Sequence, residues 1–109
     1  MSLKRTTYLI NEAYIYESGA AKPEKLLEFI VDESNIGQAQ KVRDQILSKV
    51  DRLQDHPHMG QKEIYLEHLG LAHRRIVVSH YKIIYRIKGH ALYITDIFDT
   101  RQDPSKMKG

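Results

Sequence analysis

Three consecutive runs of Ile, Val, Tyr and Phe occupy residues 74–104, and such residues suit the pleated, half-buried surface of a β-sheet. They predict strands at residues 75–79, 81–87 and 91–98. The connections between these runs are too short for parallel crossovers, so neighbouring strands are expected to be antiparallel. Lysine and arginine alternate with the apolar residues, and we expect some of these cations to lie on an exposed face of the sheet.

The first half of the chain predicts one strand and two helices. Residues 8–16, rich in Tyr and Ile, are typical of a strand. Pro23 at a first helical position, followed by apolar residues at helical spacing, predicts a short helix over residues 23–33. Asn35, with Gln38 three residues later, resembles a helix-capping box. A longer helix then has its apolar face at Ala39, Val42, Ile46, Val50 and Leu53.

These elements predict an α+β fold: an N-terminal strand and an α-helical hairpin of two helices packed on an antiparallel sheet of about four strands. The hairpin is expected because only a short break separates the two helices. A turn at residues 57–60 and a short extended piece at 62–66 lead into the sheet. We expect one domain over residues 1–109, with loose termini at 1–7 and 105–109.

Composition argues against several classes of function. The chain has no cysteine, which excludes a disulfide framework and thiolate chemistry. No apolar run approaches the ~20 residues of a membrane span, and no signal peptide is apparent, so we expect a cytoplasmic protein. The glycines are scattered rather than gathered in a phosphate-binding loop, and we expect no cofactor.

The six histidines all lie in residues 56–109 but do not form a zinc-binding pattern. His68 and His73 have metal-like spacing, yet no third ligand is evident near them. We expect the histidines to face solvent in turns, and we expect no metal site.

Charge is distributed unevenly along the chain. Residues 1–55 carry eight Lys/Arg against nine Asp/Glu, whereas residues 56–109 carry nine against five. The half that forms the predicted sheet is therefore positive, and it would attract an anionic partner.

Cations and one phenol form the candidate site. Strand alternation places Lys82 and Arg86 on one face, where we expect both to be exposed, and it places Tyr85 with the core. Cleavage of RNA without a metal needs a proton acceptor, a proton donor and cations that stabilise the phosphate. The alternative is a solvated sheet face with ordinary cross-strand pairs. The candidates are Arg74, Arg75, Lys82, Arg86 and Arg101, with Tyr85 as a weaker one.

Three short motifs carry a resemblance to a known family. Leu53, Pro57 and Gly60 form the pattern LxxxPxxG at the end of the long helix. RRIVVSHYKIIYRI follows at residues 74–87, and IFDTRQDP closes the last strand at 97–104. In this order and spacing, the motifs resemble the RelE/ParE superfamily of toxins from type II toxin–antitoxin systems, over residues 8–106.

The resemblance implies a growth-inhibiting toxin, with a role in plasmid stabilisation, that is neutralised by an antitoxin encoded beside it. RelE-like members cut messenger RNA at the ribosome, and ParE-like members poison DNA gyrase. The long helical hairpin, rather than a compact one, looks more ParE-like. An enzyme of this kind would be a metal-independent mRNA endoribonuclease. The alternative is a non-toxic interaction module of the same fold that binds only an antitoxin or another protein.

The resemblance also assigns expected roles to individual residues. In the nuclease branch, Lys82 matches the basic residue before the strand tyrosine, and Arg74 and Arg75 match the cations of the preceding strand. After the last strand, the matching segment offers Asp99 and Arg101. Many relatives have His where this chain has Asp99, and a carboxylate cannot act as a cationic acid near neutral pH unless its pKa is raised. That departure weakens the nuclease interpretation.

The expected antitoxin is an acidic, partly disordered chain that folds over the toxin. A basic sheet surface with an exposed edge, beside an apolar groove, can accept an added strand or an amphipathic helix. Such wrapping would cover Lys82 and Arg86. The oligomeric state stays open, and a heterotetramer with the antitoxin is one arrangement.

Overall fold

The computed structural model describes the backbone of residues 6–15, 25–89 and 91–109, and the side chains of residues 31–89 and 92–109. Two short 3-10 helices are present, at Ile64–Leu69 and Pro104–Lys106. The main elements are β1 (Thr6–Ile15), β2 (Lys25–Glu33), α1 (Ile36–Asp55), β3 (Gln61–Lys62), β4 (Arg74–Val78), β5 (Tyr81–Lys88) and β6 (Ala91–Asp99). The predicted α+β class is confirmed.

The strands β1 and β2 pair antiparallel as a separate two-stranded sheet. The predicted N-terminal strand is therefore confirmed, although Tyr16 lies outside the described residues. The helix predicted over residues 23–33 is wrong, because residues 25–33 form β2; residues 23 and 24 lie outside the described part. Apolar residues at helical spacing misled the prediction: a helix this short is marginal alone, whereas residues 25–33 pair with β1.

The helical hairpin is consequently replaced by one helix, α1. The Asn35 side chain caps its first turn, since Oδ1 accepts a hydrogen bond from the Gln38 amide at 2.8 Å. The predicted apolar face is confirmed, because all five of its members are buried: Ala39, Val42, Ile46, Val50 and Leu53.

A four-stranded antiparallel sheet has the order β3-β4-β5-β6. The three strands predicted after residue 74 are confirmed, and their bounds differ by at most one residue. The extended piece predicted at residues 62–66 is wrong beyond Lys62, because the chain turns there into the 3-10 helix Ile64–Leu69. The fourth strand of this sheet is therefore β3, whereas the N-terminal strand β1 belongs to the two-stranded sheet with β2.

Both faces of the four-stranded sheet are covered by apolar residues. One face packs against α1 through Tyr81, Ile83, Tyr85 and Ile94. The opposite face, which we call the outer face, carries a smaller buried cluster of Leu66, Ile84, Phe98 and Met107. Within the described residues, no helix is both long and apolar enough to cross a membrane.

Residues 105–109 pack on the outer face, which differs from the loose basic tail that we expected. Met107 is only 7% exposed. The Lys108 amide donates to Asp96 Oδ2 at 3.0 Å, and the Thr95 hydroxyl donates to the Lys108 carbonyl at 2.9 Å. Met107 and these two hydrogen bonds hold the segment on the sheet. Charge composition alone could not predict this packing.

Candidate interaction site on the outer face

Strand register places three of the candidate cations on the outer face. In the β4–β5 ladder, Arg75 lies opposite the outer-face residue Ile84, and Val77 lies opposite Lys82. Because side chains alternate along a strand, Arg86 shares this face with Lys82. Val77 is 59% exposed, so an apolar side chain stands open beside these cations.

A buried carboxylate binds two of the three cations. Glu63 Oε2 lies 3.2 Å from Lys82 Nζ and 3.7 Å from Arg75 Nε, and the Glu63 side chain is only 1% exposed. The side chains of Lys82 and Arg75 are 18% and 22% exposed. The expectation that Lys82 and Arg86 are exposed is therefore wrong, because both residues are partly buried. Lys82 is bound to a carboxylate that the sequence analysis did not single out.

Residues 63–69 form a cover over this part of the sheet, and we call them the covering segment. The Glu63 side chain starts the 3-10 helix by accepting from the Tyr65 amide at 3.3 Å. The Tyr65 ring centroid lies 5.3 Å from Lys82 Nζ, within the range of a cation–π contact. Leu66 inserts into the outer-face cluster with Ile84. The segment thus supplies a carboxylate, an aromatic ring and an apolar anchor to the basic face.

The two arginines of β4 also bind backbone carbonyls at the β3 edge. Arg74 Nη1 donates to the Gly60 carbonyl at 2.6 Å. Arg75 Nη1 donates to the Lys62 carbonyl, and Nη2 donates to Gln61 Oε1 at 3.3 Å. Both guanidinium groups thereby hold the two-residue strand β3 against the sheet.

Arg86 lies beside a buried histidine. Its guanidinium carbon is 6.0 Å from the centroid of the Tyr93 ring. His73 is only 3% exposed, so the expectation of a solvent-facing histidine is wrong here. Gly109 lies so close that an added Cβ would be 3.1 Å from His73 Nε2. Burial, and secondarily the charge of Arg86, lower the pKa of His73 below its ordinary value. Burial therefore favours the neutral imidazole of His73.

Arg101 belongs to a different cluster, on the α1 side of the sheet. Asp99 binds it through both carboxylate oxygens, with Nε to Oδ1 at 2.8 Å and Nη2 to Oδ2 at 2.7 Å. Arg101 Nη2 also donates to the Asp32 carbonyl and to the Tyr81 hydroxyl. Hydrogen bonding to Asp99 raises the pKa of Arg101. Asp99 and Arg101 together tie the end of β2 to the four-stranded sheet.

Tyr85 is fully buried, which agrees with its assignment to the core by strand alternation. Its hydroxyl donates to the Pro57 carbonyl at 2.8 Å and accepts from the Gly60 amide at 3.0 Å. Burial raises the pKa of the phenol. Tyr85 thus holds the turn after α1 to the sheet.

The structure therefore brings together only part of the predicted site. Arg75, Lys82 and Arg86 share the outer face, whereas Arg74 lies at the β3 edge. Arg101 and Asp99 form a separate cluster on the α1 side. Sequence reasoning missed Glu63 and Tyr65; the only signal for Glu63 was that acids are few in the basic half, with five among residues 56–109.

The assembled outer face suits binding more than proton transfer. Two cations are held about one carboxylate, with exposed apolar and aromatic groups beside them. Among the described residues, no group of three or more His, Cys, Asp or Glu side chains is arranged to hold a metal ion.

Comparison with known proteins identifies the family. Residues 20–104 match a family described as the ParE toxin of the type II toxin–antitoxin system parDE. No curated protein and no solved structure shows significant similarity to the chain. The family match spans most of the chain and includes α1, the four-stranded sheet and all the candidate cations. The chain therefore belongs to the ParE toxin family of type II toxin–antitoxin systems.

Proposed function

We propose that this toxin inhibits growth by binding and poisoning DNA gyrase, and not by cutting messenger RNA. The family match favours this branch, because the resemblance implies gyrase as the target of ParE-like members and messenger RNA as the substrate of RelE-like members. A binding mechanism requires a complementary surface on the toxin, whereas an RNA-cleaving mechanism also requires an accessible acid and base.

One observation supports this choice most directly: Lys82 is bound to the buried carboxylate of Glu63. A cation that stabilises a cleaved phosphate must meet that phosphate, and here it meets an internal anion instead. Arg101 is likewise bound by both carboxylate oxygens of Asp99. The residue at the position where many relatives have His therefore holds an arginine. The Tyr85 phenol is buried and engaged at both its donor and its acceptor position.

We further propose that an acidic antitoxin, encoded beside this gene, neutralises the toxin. The basic balance of residues 56–109 supports an acidic partner. The exposed apolar side chain of Val77, beside Arg75 and Lys82, provides a non-polar contact that such a partner would bury.

Induced expression with two molecular readouts tests the proposed target. We expect growth arrest, relief by co-expression of the neighbouring gene, and accumulation of covalent gyrase–DNA cleavage complexes. Messenger RNA 5′ ends mapped under the same induction should not change. The purified toxin should inhibit supercoiling by gyrase in vitro. New mRNA ends without cleavage complexes would contradict the proposal and support the nuclease branch.

A matched variant controls for effects of expression alone. Ile46 is fully buried on α1, so Ile46→Asp places a charge in the core and should prevent folding. It should therefore abolish arrest at equal expression level. Harmless expression of the folded wild-type chain would support the alternative, a non-toxic module that binds only an antitoxin or another protein.

A further inference from the structure

The covering segment places three kinds of side chain on the outer face. Glu63 supplies a carboxylate to Arg75 and Lys82, at 3.7 and 3.2 Å. Two residues later, Tyr65 lies over the same lysine. Leu66 then fills the apolar cluster beside Ile84. A carboxylate, an aromatic ring and an aliphatic side chain thus occupy neighbouring positions on this face.

Only two residues of the covering segment are buried, Glu63 and Leu66, and the Glu63 amide donates to the His73 carbonyl at 2.9 Å. The segment contains a six-residue 3-10 helix, and helices of this type have poor hydrogen-bond geometry and are uncommon at such length. Ile64 and Leu69 are 71% and 43% exposed, so much of its apolar surface faces solvent. A cavity of about 280 Å³ lies between the segment and His73. Because Leu66 is its one buried apolar side chain, the segment should open more readily than the core.

We propose that Arg75 and Lys82 form a binding site for carboxylate groups of an acidic, partly apolar protein segment, and that the covering segment is an internal occupant which this partner displaces. The site goes beyond the proposed attack on gyrase, since it does not depend on which target the toxin acts on. Displacing the covering segment uncovers both cations and Ile84. Val77, which is already exposed, lies beside them.

A protein segment fits this site better than a nucleic acid does. The group that now binds the cations is a carboxylate on a peptide, and the side chains that follow it are aromatic and aliphatic. The surface beside the cations is apolar, with Val77 exposed and Phe98 in the underlying cluster. Aliphatic side chains complement such a surface. A phosphodiester backbone has no apolar groups that could pack against it.

A peptide copy of the covering segment is the probe. It spans residues 61–71, QKEIYLEHLGL, and is acetylated and amidated at its ends. In the wild-type chain the tethered segment competes at high effective concentration, so the peptide should bind weakly. Leu66→Ala removes the buried anchor of the tethered segment and leaves both cations in place. We expect this variant to bind the peptide about tenfold more tightly than the wild-type chain.

Two matched changes make the test specific. Ile64→Ala alters the same segment at an exposed side chain and should leave the affinity for the peptide unchanged. A peptide that carries Gln in place of its copy of Glu63 should lose about tenfold in affinity for the Leu66→Ala variant, because a charge-assisted contact is lost. Adding Lys82→Met to Leu66→Ala should remove the gain.

Binding isotherms measured by calorimetry distinguish the outcomes. Equal binding of the Glu and Gln peptides would overturn the proposal, as would tighter binding of a single-stranded RNA oligonucleotide than of the peptide. If Leu66→Ala does not fold, Glu63→Asp shortens the internal carboxylate without changing net charge, and it should give the same gain. None of these outcomes bears on the gyrase assay, so the two proposals fail separately.

Discussion

Asp99 binds Arg101 through two parallel hydrogen bonds, Nε to Oδ1 at 2.8 Å and Nη2 to Oδ2 at 2.7 Å. Their side chains are only 12% and 21% exposed, so solvent screens the pair weakly. Arg101 then reaches the carbonyl of Asp32 at the end of β2. Asp99 therefore has a structural role: it orients the arginine that connects the two sheets.

Asp99→Asn should destabilise the fold by about 1–3 kcal/mol, because it leaves Arg101 without the charged partner of a bidentate pair. Urea unfolding followed by circular dichroism measures the change. Asp103→Asn is the charge-matched control, since Asp103 is exposed and Asn also caps helices well. Equal loss of stability in the two variants would show that the change in net charge destabilises the fold, and not the loss of the Asp99–Arg101 pair.

Tyr85→Phe should cost about 1–3 kcal/mol, because the change leaves a buried donor on Gly60 and an acceptor on Pro57 without a partner. Toxicity per folded molecule should stay unchanged, since the phenol lies in the core and has no access to a substrate. Tyr93→Phe, which keeps the ring beneath Arg86, is the control for loss of a hydroxyl. Loss of toxicity in stable, folded Tyr85→Phe would restore Tyr85 as a catalytic candidate.

Gly60→Ala should be more harmful than Gly70→Ala. A Cβ at Gly60 would lie 2.5 Å from the Tyr85 hydroxyl oxygen and 2.8 Å from the Arg75 carbonyl oxygen, so packing would have to shift at a cost of about 3 kcal/mol. Gly70 has φ of 68° but no atom near such a Cβ, and its substitution costs about 1 kcal/mol in backbone strain. Thermal unfolding of both variants compares them; equal midpoints would contradict the steric explanation.

The same contact explains the final glycine of the LxxxPxxG pattern. Leu53 anchors the end of α1 in the core, the Pro57 carbonyl accepts from Tyr85, and Gly60 leaves space for that tyrosine. The motif therefore reflects the packing of the turn after α1 against β5. It does not indicate which molecule the toxin acts on.

Helix α1 and strands β4 to β6 could be predicted because their signals are local. Five apolar positions at helical spacing and an Asn cap define α1, and alternating β-branched runs define the strands. The segment 25–33 could not be predicted in this way, because its apolar spacing also fits a helix. Its pairing with β1, the preceding strand, decides the structure.

The outer face shows a second limit of sequence reasoning. Alternation correctly places Lys82 and Arg86 on one face, but it does not reveal what lies above them. The cover depends on Leu66 meeting Ile84 and Met107, residues that are separated by about 20 positions or more along the chain. The partial burial of Lys82 and its pairing with Glu63 follow from that tertiary contact, so the expectation of an open basic face was wrong at Lys82.

His73 makes stability depend on pH in a direction that follows from its burial. Burial, and secondarily the charge of Arg86, lower its pKa below the ordinary value of 6.5, so folding favours the neutral imidazole. Between the folded pKa and 6.5, the unfolded chain binds more protons than the folded chain does. The free energy of unfolding therefore decreases as the pH falls through this window, and it is fully retained above 6.5.

His73→Gln should flatten this dependence, because glutamine does not titrate. Urea unfolding of the wild-type chain and of this variant, measured between neutral and mildly acidic pH, gives the two slopes. His68→Gln removes a histidine from the covering segment at an exposed position and should keep the wild-type slope. If His68→Gln flattened the curve and His73→Gln did not, the acid sensitivity would arise from the exposed side chain, and the neutral state assigned to His73 would be wrong.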